Sequence, residues 1–145
     1  MSTDFERSIE NFIKKAKKNP EQVVRQVTIK LYSQIILASP VDTGRFRMNW
    51  QATYGSPATG ILIANDPSGS RAIANATSFV MNYPKWDEFR FTNNLPYAGK
   101  IEFGGYPGDG PNTVGGYSRQ APQGVVRVTV KRFQRLIDEA AARMN

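Results

Sequence analysis

Apolar side chains recur at spacings of three and four through residues 4–18, where Phe5, Ile9, Phe12, Ile13 and Ala16 fall on one side of a helix. Thr3 and Glu6 stand at capping-box spacing at its start. Lys14, Lys15, Lys17 and Lys18 cover the rest of its surface, which reads first as a solvated face. Asn19-Pro20-Glu21-Gln22 is a second start signal, with an amide at the cap and proline at the first helical position. Val23, Val27, Leu31 and Ile35 then recur every four residues, with Val24 and Ala38 beside them, so the pattern predicts a central helix over 20–38. Ser39-Pro40 stops it, because a residue before proline avoids helical geometry.

The period then changes. Phe46, Met48, Trp50, Ala52 and Tyr54 alternate with Arg47, Asn49, Gln51 and Thr53, which predicts a strand over 46–54. Turn residues at 55–60 and the apolar run 61–64 complete an expected hairpin. A helix is expected over 70–83, carrying Ile73, Ala76, Phe79 and Val80 on one face and ending at Pro84. A third strand is expected over 89–93, and a short helix or turn over 97–103. Residues 104–118 hold six glycines and two prolines. A glycine-rich loop of this length is functional or disordered, and in an assembling subunit it orders against a neighbour. The last segment is double-valued: Val126, Val128 and Val130 alternate, yet Val126, Val130, Phe133, Ile137 and Ala140 share a helical face. The strong helix formers from Arg132 onward decide for a helix over 122–143, with Pro122 in its first turn. The order ααββαβα predicts one α+β domain across residues 1–145, in which helices pack on a small, mostly antiparallel sheet and helix 4–18 lies at the periphery.

Composition narrows the chemistry. The chain has neither cysteine nor histidine, which removes disulfides, thiol nucleophiles, Cys/His zinc sites and imidazole acid–base catalysis. Its carboxylates form no recognisable catalytic pair, and Asp66, Asp87, Glu88 and Glu102 make a metal-dependent nuclease site only by contrivance. The glycines at 104–116 lack the GK[ST] ending of a phosphate-cradling loop. The expectation is a non-enzyme without a cofactor or bound metal. No run reaches the roughly 20 apolar residues of a membrane span, and residues 1–18 lack a signal-peptide core, so synthesis in the host cytoplasm and no membrane partner are expected. The net charge is +7, which suits nucleic acid or an acidic protein. Lys14, Lys15, Lys17, Lys18, Arg127, Lys131 and Arg135 are the candidate partner- or DNA-facing cations. The strand aromatics Phe46, Trp50, Tyr54, Phe89 and Phe91 read as core rather than as a base-stacking platform.

Three segments carry a likeness. Ser39-Pro40-Val41-Asp42-Thr43-Gly44-Arg45-Phe46-Arg47 is followed by Asn49-Trp50. Asn93-Asn94-Leu95-Pro96-Tyr97-Ala98 runs into Ile101-Glu102-Phe103-Gly104. Ser118-Arg119-Gln120-Ala121-Pro122-Gln123-Gly124 closes the set. In order and spacing they resemble a family of small phage tail and neck components, similar to the tail-completion proteins of lambda-like siphophages, over about residues 20–140. The resemblance implies a structural virion protein at the head-proximal end of a long tail. It implies several copies, six in the expected ring, around the DNA channel, contacting the tail terminator or tail tube, the head-completion proteins and the passing genome. A tail terminator or head-closure protein shares the setting, and a free DNA-binding regulator is the reading from another class. The motif residues Asp42, Thr43, Gly44, Arg45, Asn49, Tyr97, Glu102, Phe103, Gly104, Gln120, Ala121 and Pro122 are expected mainly to keep the fold. Asp42 and Thr43 cap a turn, Tyr97 and Phe103 pack on the sheet, and Glu102 pairs with Arg45 or Arg47. Gly105, Tyr106, Pro107, Gly110 and Tyr117 mark the loop expected to meet a neighbouring subunit.

Overall fold

The computed structural model describes residues 3–144. Thr3 Oγ1 accepts the Glu6 N–H at 3.1 Å and opens α1 (Asp4–Ala16). Asn19 Oδ1 accepts the N–H groups of Glu21 and Gln22 at 2.9 and 3.3 Å and opens α2 (Pro20–Ala38). Both caps stand where the sequence signals put them, because each satisfies backbone donors that the first turn leaves free. α2 is the spine, with α4 (Ser70–Asn82) and α6 (Val126–Ala142) both packed against it. α1 lies on α6, with the Phe5 and Phe133 rings 6.4 Å apart.

The expected strand over 46–54 divides in two. Residues Arg45–Met48 form a single helical turn, α3, and only Gln51–Tyr54 is a strand, β1. The alternation misleads because Phe46 and Met48 are both buried from a helical turn. The intervening Arg47 reaches sideways, donating to the carbonyls of Leu37 at 2.9 Å, Ser39 at 3.1 Å and Pro67 at 2.9 Å. The end of α2 carries no basic residue of its own in its last turn, so Arg47 answers its orphan carbonyls from another element. A lysine carries its three donors on one nitrogen and lacks the planar fork that reaches all three carbonyls from separate nitrogens. Arg47→Lys is expected to cost about 1–2 kcal/mol in urea unfolding, through lost hydrogen bonds to those carbonyls.

The expected hairpin does not form either. β1 pairs antiparallel with β2 (Phe89–Thr92), Gln51 opposite Thr92 and Tyr54 opposite Phe89. Residues 61–64 join no strand. The short element at 97–103 is a helix, α5 (Ala98–Phe103). The glycine-rich loop is folded on itself: β3 (Thr113–Val114) and β4 (Tyr117–Ser118) make a second two-stranded ladder. The N–H groups of Gly105 and Tyr106 both donate to Gly116 O, at 2.9 and 3.0 Å. This loop therefore orders within the subunit rather than only against a neighbour. α6 begins at Val126, not at 122, because Gly124 holds a φ of +86° that interrupts helical geometry. Pro122 lies outside the helix, in a bridge to Gly124.

Among the described residues the result is six helices and two small antiparallel ladders, an α+β fold. Ile35, Phe46, Leu95, Ile101, Ala121 and Val125 form one core cluster, and Tyr32, Ala76 and Val80 form another. A run of rings joins them. Tyr32 stacks on Phe91 at 3.9 Å, Phe91 on Trp50 at 5.0 Å, and Phe46 meets Trp50 edge-on at 5.8 Å. Tyr54, Tyr83, Phe79 and Phe89 form a second group. These aromatics pack on one another, an arrangement that contributes beyond area burial alone. Among the described residues no helix is long and apolar enough to cross a membrane.

Candidate functional site

The three motif segments, far apart in the chain, converge on one side of the molecule. Gln120 uses its side-chain amide as a strand would use its backbone. Its Oε1 accepts the Val41 N–H at 2.8 Å and its Nε2 donates to Val41 O at 2.9 Å. This clamp ties the third segment to the first. Asn93 Nδ2 donates to Phe46 O at 2.9 Å and ties the second to the first. Between them lies a cleft of about 460 Å³, lined by Asp42, Thr43, Arg45, Tyr97, Tyr106 and Gln120 among others. Burial pushes the Tyr97 hydroxyl pKa up, against the opposing charge of Arg45.

Within the first segment, Thr43 Oγ1 accepts the Arg45 N–H at 3.3 Å, so threonine does cap the turn. Asp42 is exposed on the rim. Gly44 is buried at a φ of +90°, and its carbonyl accepts both Met48 N–H and Asp66 N–H. Asn49 is fully buried: its amide donates to Arg45 O at 2.8 Å and to Leu62 O at 3.0 Å, while its carbonyl accepts Leu62 N–H at 2.8 Å.

Glu102 does not meet Arg45 or Arg47. Its carboxylate accepts the N–H groups of Val125, Val126 and Arg127 at 2.9, 2.7 and 3.0 Å, and the Arg127 Nε at 2.8 Å. α6 has no capping side chain of its own. Glu102, carried by α5, therefore caps the helix from across the fold, where a negative charge also suits the helix dipole. Burial pushes the Glu102 pKa up, but the hydrogen bonds from Arg127, Val126 and Val125 outweigh it and hold the carboxyl below its usual value. The attraction to Arg45 and Arg47 fails because Arg47 is engaged with carbonyls and the donors at the start of α6 claim the carboxylate.

Phe103 does not pack on the sheet. It is 66% exposed, with the Arg127 guanidinium 4.6 Å over its ring. Arg127, expected to face a partner, is tied to Glu102 and stacked on Phe103. Lys14, Lys15, Lys17, Lys18, Lys131 and Arg135 are exposed. Lys131 and Arg135 border a surface hollow shared with Asp4, Asp138 and Glu139, so that part of α6 carries both signs. Ala121 is buried in the core, Tyr106 packs against it, and Gly104 lies 3.2 Å, at the position a Cβ would take, from the Tyr117 ring. Tyr117 is half-buried, whereas Gly105 and Pro107 face outward and Gly110 donates to Thr113 O.

The carboxylates that a nuclease would need each have a separate task. Asp66 accepts the Ala72 N–H at 2.9 Å, and Glu88 pairs with Arg90 at 3.0 Å. Asp87 accepts the Tyr54 hydroxyl, which lowers the carboxyl pKa and pushes Tyr54 up to about 12. Among the described residues no three potential ligands gather for a metal ion. Two residues to which the sequence assigns no role also hold backbone: Asn94, within the second motif segment, whose amide donates to Ala58 O and Gly60 O, and Arg25, buried against Val80 O. A polar residue inside an otherwise helical apolar stripe was the available signal for Arg25. No family model, curated protein or solved structure matches the chain.

Proposed function

We propose that this chain is a non-enzymatic structural subunit of a long-tailed phage virion, one of several copies in a tail-completion or neck ring at the head-proximal end of the tail. The observation that carries the reading is the convergence of the three motif segments. The residues that bear the likeness to tail-completion proteins are the ones that clamp Val41 to Gln120, cap α6 through Glu102 and line one cleft. They form a single structural unit, as a shared scaffold requires. The exposed lysines at the end of α1 supply charge for an acidic neighbouring ring or for DNA in the channel. The expected neighbours are the tail terminator or tail tube and the head-completion proteins.

Electron cryo-microscopy of purified virions tests this directly. The expected result is density for a closed ring of this chain, six subunits around, between head and tail. Density at the tail tip or none in the particle overturns it. A ring in the tail terminator's own place at the end of the tube, or one seated directly on the portal, would reassign the chain as tail terminator or head-closure protein.

A further inference from the structure

From Pro57 to Asp66 the chain runs without bend, turn or helix. It is held along one edge by side-chain amides instead of by a neighbouring strand. Asn94 takes Ala58 O and Gly60 O, Gln51 takes Gly60 O at 2.8 Å, and Asn49 takes both backbone groups of Leu62. The bonded backbone groups of Ala58, Gly60 and Leu62 thus face the molecule. Among the described residues none hydrogen-bonds the N–H or C=O of Ile61 or Ile63. Ile63 is 94% exposed, and Ile61 and Leu62 are exposed as well.

An open backbone edge of this kind invites another strand, and proteins usually blunt it with lysine or another charge. Here no Lys, Arg, Asp or Glu lies between Arg47 and Asp66. We infer that Ile61–Ile63 is a self-association edge, and that its occupant is the same segment of a second copy. Charge selects that occupant. Copies of a +7 chain repel one another through their basic faces. An acidic partner would be drawn to those faces and gains nothing from hydrocarbon. The uncharged edge is where two copies meet without bringing like charges together. Antiparallel pairing about Leu62 sets Ile61 against Ile63 of the second copy, so each exchanges its free N–H and C=O while Leu62 stays on Asn49. Main-chain bonds then give affinity and the isoleucines exclude water. The contact is two-fold, so it joins subunits in pairs and does not by itself close a ring. It stands apart from the neck reading, and its failure leaves that reading untouched.

Sedimentation velocity on the full chain across a dilution series, up to roughly 1 mM to reach weak contacts, is the test. Wild type should move reversibly from a 16.2 kDa monomer to a dimer. Ile63→Asp places a charge in the contact. Ile63→Pro keeps an apolar side chain but deletes the N–H. Both should weaken dimerisation by about tenfold or more, with thermal melting followed by circular dichroism unchanged. Leu136→Asp, at an exposed apolar position elsewhere on the chain, should dimerise like wild type. A wild type that stays monomeric throughout overturns the inference, as do Ile63 variants that dimerise normally. Loss with aspartate alone, and not with proline, overturns the strand pairing.

Discussion

Gly44→Ala should lower stability by roughly 3–5 kcal/mol, an expected drop in Tm on the order of 10 °C. Two costs add. Gly44 holds a φ of +90°, a region L-residues seldom enter. A Cβ built there would also drive into the backbone of Asp66 and Pro67, within 2.7 Å of Pro67 Cα. Those atoms belong to the loop that enters α4, whose Asp66 N–H bonds to Gly44 O. The crowding therefore has no flexible side chain to absorb it. Gly60→Ala is the internal control. It has open space at the Cβ position and no positive φ, so it should stay within about 1 kcal/mol of wild type. Urea unfolding of the three proteins checks both values, and a Gly44→Ala protein as stable as Gly60→Ala would refute the account.

Glu102→Ala should cost about 3 kcal/mol, because it strands three backbone donors at the start of α6 and the charge of Arg127 together. Glu102→Gln keeps an acceptor but not the charge, and should cost about 1–2 kcal/mol. The pH dependence separates the two roles. The carboxyl pKa in the folded protein lies below its ordinary 4.5. Its stabilisation is therefore complete above pH 4.5, and fades as the pH falls through the lowered value. The gap between wild type and Glu102→Gln should be widest at neutral pH and close in acid, as read from urea midpoints at several pH values. A gap that does not change with pH would mean that the ionised carboxylate is not the cap. In the folded state, loss of the cap should fray α6 at Val126, visible as faster amide exchange in its first turn.

The elements legible in the sequence are those that carry their own boundaries. α1 and α2 bring Thr3 and Asn19 as caps, α4 ends before Pro84, and β2 shows aromatic residues on a short run. The elements that escaped are settled by residues elsewhere. α3 carries the alternation of a strand in Phe46, Met48 and Trp50, while the carbonyls that Arg47 seeks lie on α2 and after Asp66. The run 61–64 has strand composition but finds no strand, since β1 is taken by β2 and amides from Asn49, Gln51 and Asn94 hold it instead. The start of α6 depends on Gly124 and on a carboxylate from α5. At the site, the importance of Gly44 and Gln120 was readable from local turn chemistry and from the motif. The partner of Glu102 was not. Opposite charge pointed to Arg45 or Arg47, whereas a cluster of unsatisfied N–H groups leaves no mark on the side-chain sequence.

Two of the longer helices depend on groups outside themselves: α2 ends on Arg47 from α3, and α6 starts on Glu102 from α5. Each helix is thus incomplete as a free peptide, and excised α6 should be mostly coil in water. The short α3 and α5 in turn need the longer helices to bury Phe46 and Ile101. This mutual dependence should make unfolding cooperative. A break between Glu102 and Val125 would part α6 from its cap and should loosen its first turn.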